Sequence, residues 1–228
     1  MARTRTTLRG FFDLVGQERC AKIRLVSADG AEWIADVVAE RCSNATLCID
    51  AFHVCQWASK ALDEVRRQVR NDARNGGMSQ HARELKGCRY ALWRNPEDLT
   101  PRQARELAWI AKVNTTIYRA YLMKEQLRIA IRTKGVLALI MLDEWLAWAQ
   151  RCRIPSFVEL GRKIKRNILG IEAAMLNNLS NALVERTNTK LRVLNRMAFG
   201  SKEPEHLIAL ALLDRGGYCP LLPGRPAA

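Results

Sequence analysis

The sequence predicts an α/β chain that is mostly helical overall: two parallel strands plus helices near the start, followed by a large all-α stretch. Three observations carry that reading. A strand–helix–strand succession fits into about thirty residues, the spacing of a parallel βαβ unit. From residue 54 to about 199 nearly every segment places its apolar residues at helical intervals. The joints between segments carry capping residues, glycine and proline where helices start and stop.

Residues 8–19, LRGFFDLVGQER, read as a short amphipathic helix. KIRLVSAD at 22–29 then reads as a strand of Ile, Leu and Val closing on Asp29. A helix over 31–41 leads to a second strand, TLCID at 46–50, closing on Asp50. In a parallel pair both carboxylates emerge at the C-terminal edge, where open α/β sheets place their sites. CQWASKALDEVRRQVRNDAR forms a long amphipathic helix, broken by NGGMS at 75–79. LKGCRYALWRNPEDL is expected to be irregular or a short hairpin. Thr100 then reads as an N-cap, with Pro101 at the first helical position and Gln103 closing a capping box. Three helices follow at roughly 114–133, 136–152 and 156–178, with Gly135 and Pro155 marking two joints. A last long helix, about 180–198, stops at Gly200, a left-handed cap. A short helix at 204–213 precedes GGYCPLLPGRPAA, a Gly/Pro-rich tail expected to be mobile. Two strands leave a sheet flank exposed, so a further segment is expected before residue 1.

Composition narrows the partner. At 228 residues the chain can bury a sizeable core, and 37 Lys+Arg against 23 Asp+Glu give a charge of +14 and a pI near 9.9. A polyanion, by default nucleic acid, suits that surplus. The seven cysteines include no Cys-x-x-Cys pair, which points to free thiols in a reducing, cytoplasmic compartment and away from structural zinc. The longest apolar run, VLALIML at 136–142, is far shorter than the ~20 residues of a membrane span, so no membrane partner is expected. MARTRTTLRG has charge without an apolar stretch behind it and is no secretory signal.

Asp29 has an ordinary explanation, an N-cap with Glu32 three residues on, and Asp50 has the same one for the next helix. His53 alone reads as a packed or surface histidine. Glu185 is harder to dismiss. In NALVERTNTKLRVLNRMAFG it shares a helical stripe with Asn181, Asn188, Arg192 and Arg196, and its i+3 and i+4 neighbours are Asn188 and Thr189. Residues 151–200 carry ten Lys or Arg against three acids, so the surplus charge concentrates around this helix. An acid among amides and guanidiniums is placed to hold a cation near phosphates, although a solvated helix face remains an alternative.

VSADGAEW, LCIDAFHV, LKGCRYALWRNPEDLT and NALVERTNTKLRVLNRMAFG, in that order with a helical stretch before the last, resemble the catalytic domain of bacterial insertion-sequence transposases. These form part of the DDE superfamily. Within it, the Asp/Cys-x-x-His subgroup with a helical insertion is the closest in pattern. The resemblance implies an α/β remnant of an RNase H-like fold: a partial core at 8–54, an all-α insertion at 55–178, the glutamate helix region at 179–213 and the tail at 214–228. It implies that Asp29 is the second catalytic aspartate, Glu185 the terminal glutamate, and Asp50 and His53 an accessory motif beside them. Asp29 and Glu185 would then be ligands of Mg²⁺, which suits carboxylates because hard cations prefer oxygen. Arg162, Lys163, Lys165, Arg166, Lys190, Arg192 and Arg196 would hold the DNA backbone.

The family's first catalytic aspartate sits on a strand that precedes the part matched here, and Asp13, in a predicted helix, is no substitute. The expectation is therefore an N-terminally truncated transposase, inactive alone. A non-catalytic DNA-binding fragment, or a partner of a full-length transposase or of further copies of itself, is the alternative. Trp93, Trp109, Trp145 and Trp148 could stack on flipped bases, although tryptophans at helical spacing belong more often to a core.

Overall fold

A computed structural model describes residues 4–177, 182–197, 200 and 203–215, the side chains of 182–185, 204 and 215 excepted. The chain divides into two compact units, Met1–Ser180 and Asn181–Ala228.

In the first unit, helices α1 (Arg5–Val15) and α2 (Gln17–Lys22) are parted at Gly16, so the single helix expected over 8–19 is two. Strand β1 (Leu25–Ala28), helix α3 (Glu32–Arg41) and strand β2 (Thr46–Ile49) follow. The strands pair in parallel, Leu25 opposite Thr46 through Ala28 opposite Ile49. Phe12, Cys20, Val37, Val38 and Cys42 form a small core under α1–α3, and Val26 and Leu47 of the sheet pack on it. Ion pairs Arg5–Asp36, Arg9–Glu40 and Arg41–Asp13 (2.6–2.8 Å) staple α1 to α3 at the surface. Exposed pairs of this kind contribute up to about 1 kcal/mol each.

Helix α4 (Ala51–Asn75) joins this layer to the helical one. At ~1.5 Å per residue its 25 residues extend roughly 37 Å. Val54, Ala58, Ala61, Leu62 and Val65 recur at helical spacing and are buried against the helices that follow. These are α5 (Ser79–Gly87), α6 (Arg89–Trp93), α7 (Pro101–Val113), α8 (Thr115–Arg132), α9 (Val136–Arg151), α10 (Pro155–Arg166) and α11 (Ile168–Asn177). The capping box at Thr100 forms in both directions: Thr100 Oγ1 accepts from Gln103 N–H, and Gln103 Oε1 accepts from Thr100 N–H.

LKGCRYALWRNPEDL is not irregular or a hairpin. It comprises the end of α5, helix α6 and a 3₁₀ turn at Pro96–Asp98, because Leu85, Cys88 and Leu92 keep helical spacing and are all buried. The helix expected over 156–178 breaks at Asn167, whose N–H caps the end of α10. Helix α11 lies on β2: a Cβ at Gly170 would stand 3.0 Å from Ile49 Cγ1 and 3.1 Å from Leu47 O, so only glycine permits this approach.

Two buried charge clusters pin the helical layer. Arg66 bonds Asp63 at 2.8 Å and reaches the Leu85 carbonyl. Lys124 pairs with Glu125 at 2.6 Å, and Glu125 also takes Arg128 at 2.7 Å. Lys124 Nζ donates further to Leu92 O (2.8 Å) and Arg94 O (3.2 Å), satisfying the end of α6. Its pKa is lowered, first by burial and against the raising influence of Glu125.

The second unit contains α12 (Ala182–Met197) and α13 (Pro204–Arg215), tied by Lys190 to Asp214 at 2.7 Å. Gly200 has φ +89° and its N–H donates to Asn195 O, as a left-handed cap should. The tail from 216, Asn181 and Ala198 lie outside the described residues. No helix among the described residues is long and apolar enough to cross a membrane.

Candidate functional site

Strand register puts Asp29 and Asp50 side by side in sequence position: each follows the last residue of its strand, and Asp50 N–H donates to Ala28 O at 3.1 Å. The two aspartates nevertheless differ in environment. Asp29 is exposed, and its Oδ1 accepts the Ala31 N–H at 3.2 Å. It is therefore not the N-cap of α3, a position taken by Ala31 without a side-chain bond, and the capping box with Glu32 does not form. The reason is Gly30, whose φ of +79° inserts a left-handed step between strand and helix. The carboxylate closes that step as an Asx-turn.

Asp50 does cap its helix. It is 2% exposed, and its carboxylate accepts from Phe52 N–H at the first turn of α4. That turn also sets His53, half-buried, with its N–H donating to Asp50 O and its ring edge-on to Phe52 at 5.7 Å. One exposed and one buried carboxylate thus share the sheet edge with an imidazole one turn further on. Asp13 sits on α1, paired with Arg41.

Among the described residues no group of three or more His, Cys, Asp or Glu side chains gathers as a metal-holding set. Oxygen donors from Asp29 and Asp50 are the right chemistry for a hard cation, and Asp29 is open to one. Glu185 lies on α12 in the second unit, and its side chain is outside the described residues.

Of the predicted phosphate contacts, Arg162, Lys165 and Arg166 occupy the exposed side of α10, opposite Phe157, Leu160 and Ile164 in the core. Arg162 is ion-paired to Glu159. Lys163 is half-buried with Nζ 3.9 Å from the centre of the Trp57 ring. Its pKa is lowered, first by burial and then by the positive charges of Lys60 and Arg166, and α10 packs on α4 here. Arg192 and Arg196 are exposed on α12, while Lys190 is taken up by Asp214.

Sequence reasoning missed Lys60 and Trp57. For Lys60 a signal was present: Phe52, Gln56, Ser59 and Lys60 recur at helical intervals along one side of α4.

Comparison with known proteins bears on what this edge does. Residues 1–211 match the family model DDE_Tnp_ISL3, described as a transposase. Across 97% of its length the chain is 52% identical to the transposase for insertion sequence element IS1557 of Mycobacterium tuberculosis, in strains CDC 1551 / Oshkosh and ATCC 25618 / H37Rv, and covers 54% of that protein. Across 90% of its length it is 24% identical to the transposase for insertion sequence element IS1001 of Bordetella parapertussis, covering 50% of it. The chain spans about half the length of these curated relatives. No solved structure matches.

Proposed function

From the premise that the chain belongs to the DDE_Tnp_ISL3 transposase family, we propose that it is the C-terminal part of the catalytic apparatus of an insertion-sequence transposase, whose activity is metal-dependent DNA strand cleavage and transfer. The observation that carries this reading is the parallel pair ending on two aspartates in register, one of them open to solvent. In an RNase H-like core built from 8–54 and 179–213, Asp29 and Glu185 would hold Mg²⁺. When bound, such ions activate the attacking oxygen and stabilise the leaving one in phosphoryl transfer.

The remaining residues have supporting work. Asp50, buried at the start of α4, fixes the first turn and so aims His53 along the same edge. Arg162, Lys163, Lys165, Arg166 and the newly identified Lys60 would grip phosphates of the transposon end and target without reading sequence, and Arg192 and Arg196 would do the same from α12. A cytoplasmic protein that is nucleoid-associated when bound to DNA follows from that reading.

These 228 residues supply two of the three carboxylates that the resemblance calls for, so we infer that the polypeptide does not cut DNA by itself. The test is to incubate it with transposon-end duplex and Mg²⁺ or Mn²⁺. The duplex should stay intact. Cleavage that disappears in Glu185→Ala would overturn the inference.

A regulatory reading is favoured by one observation: among the described residues β1 pairs only with β2, and its Leu25 is exposed. An open strand edge is a template for pairing with a full-length transposase or another copy. Salt-sensitive DNA binding with no dependence on divalent ions would select this reading over the catalytic one.

A further inference from the structure

Asp29 is exposed at the end of β1, yet the residue after it is braced from outside the sheet. A Cβ placed on Gly30 would stand 3.5 Å from both Cζ2 and Cη2 of Trp57 and 3.4 Å from Ile49 Cδ1, so the far edge of the indole lies against the left-handed step between strand and helix. Helix α4 brings the ring there. Trp57 stands seven residues after the N-cap Asp50 and four after His53, positions that share one helix face. Half-buried, it also packs against the large core. Asp29 Oδ1 accepts the Ala31 N–H across the Gly30 step, so the direction of the carboxylate depends on where that step is held.

The face of the same ring is also occupied. Lys163 of α10 places Nζ 3.9 Å from the ring centre, a cation–π contact. The charged neighbours of this ammonium, Lys60 and Arg166, are both positive, so the indole rather than a carboxylate holds it. One side chain thus touches both the step that follows Asp29 and the cation of Lys163. Tryptophan suits both tasks, because it is the longest aromatic side chain and has the face that best attracts a cation.

We propose that Trp57 is a positioning residue: its edge fixes the Gly30 step, and with it the carboxylate that Asp29 offers a divalent ion, while its face keeps the Lys163 ammonium ready for a phosphate of the strand held there. The proposal rests on the catalytic reading and adds the residue that joins its metal ligand to its phosphate contact.

The test follows Mn²⁺ binding to the intact chain by the electron paramagnetic resonance of the free ion. Trp57→Ala should weaken the Asp29-dependent binding about tenfold, as loss of a group that orients a metal ligand does, and Trp57→Phe, which keeps a ring, should recover part of it. Leu62→Ala empties a fully buried position on the same helix and should destabilise the chain at least as much, with Mn²⁺ affinity unchanged. Duplex binding reads the other contact. Lys163→Met and Trp57→Ala should each lower duplex affinity severalfold, and the double variant should lose no more than the weaker of the two single variants. Unaltered Mn²⁺ affinity in Trp57→Ala, or an equal loss in Leu62→Ala, would overturn the positioning of Asp29, and additive losses on duplex would overturn the link to Lys163. Absence of any Asp29-dependent Mn²⁺ binding in the unaltered chain would overturn the catalytic reading itself, and the proposal with it.

Discussion

Around β1 and β2 the clustered core comprises five buried residues, Phe12, Cys20, Val37, Val38 and Cys42, whereas α4–α11 share with Ile49 a continuous core of 28 that includes Trp145, Phe157 and Leu62. Asp29 and Asp50 stand at the thinly built end, and that end is anchored twice to the thickly built one. Helix α4 runs from the strand edge into the core, and α11 returns to lie on β2. The two regions divide the labour: the helical layer supplies most of the buried core, and the sheet fixes the edge on which Asp29 and Asp50 stand.

That contrast breaks most visibly in the large core. Trp145 is fully buried and its Nε1–H donates to Met123 O at 2.7 Å, so Trp145→Ala should lower unfolding free energy by about 3–5 kcal/mol in urea titration. Lys124→Met should follow at about 3 kcal/mol, because it removes one of two cations from the buried Glu125 and two bonds from the end of α6. Hydrogen exchange should then accelerate at residues 92–95 before it does in α8.

Gly170→Ala decides whether α11 truly rests on the sheet. In a free helix this change stabilises by up to about 1 kcal/mol. Against Ile49 and Leu47 O it should instead destabilise by about 1–2 kcal/mol, measured by thermal unfolding. Alkaline pH gives a smaller effect. Burial pushes the Cys88 thiol from 9.0 up to about 11, so the stability held by its protonated form is complete below pH 9 and is lost as the pH climbs towards about 11. Cys88→Ala should flatten that step. Smallest of all is Asp29→Asn, expected to change stability by less than about 0.5 kcal/mol, since the amide oxygen still accepts the Ala31 N–H. Titration with Mn²⁺ should nonetheless show divalent-ion binding lost.

The same contrast governs how much was legible in the sequence. The strands and their terminal aspartates could be read because Ile, Leu and Val end abruptly on charge, and Thr100 because its capping box is local. Residues 85–98 misled because Gly87 and Pro96 suggest breaks. The chain passes through Cys88 in helical conformation, φ −72° and ψ 0°, and keeps its buried stripe. Asp29 misled because one left-handed glycine moves the N-cap of α3 from Asp29 to Ala31, a tertiary choice invisible in spacing. Tryptophan roles were not separable at all: Trp145 and Trp93 both sit at helical intervals, yet one is core and the other faces a cavity. All six described cysteines are free thiols, in line with the absence of paired spacing.

The shared ion proposed for Asp29 and Glu185 is open to a direct test. Fe²⁺ loaded in place of Mg²⁺ and activated with ascorbate and peroxide cuts polypeptide backbone close to the bound metal. Fragments ending near residue 29 and near residue 185 in the same sample, both suppressed by excess Mg²⁺ and by Asp29→Asn, are the predicted result. Cuts confined to one of the two positions, or a pattern indifferent to Asp29→Asn, would contradict it.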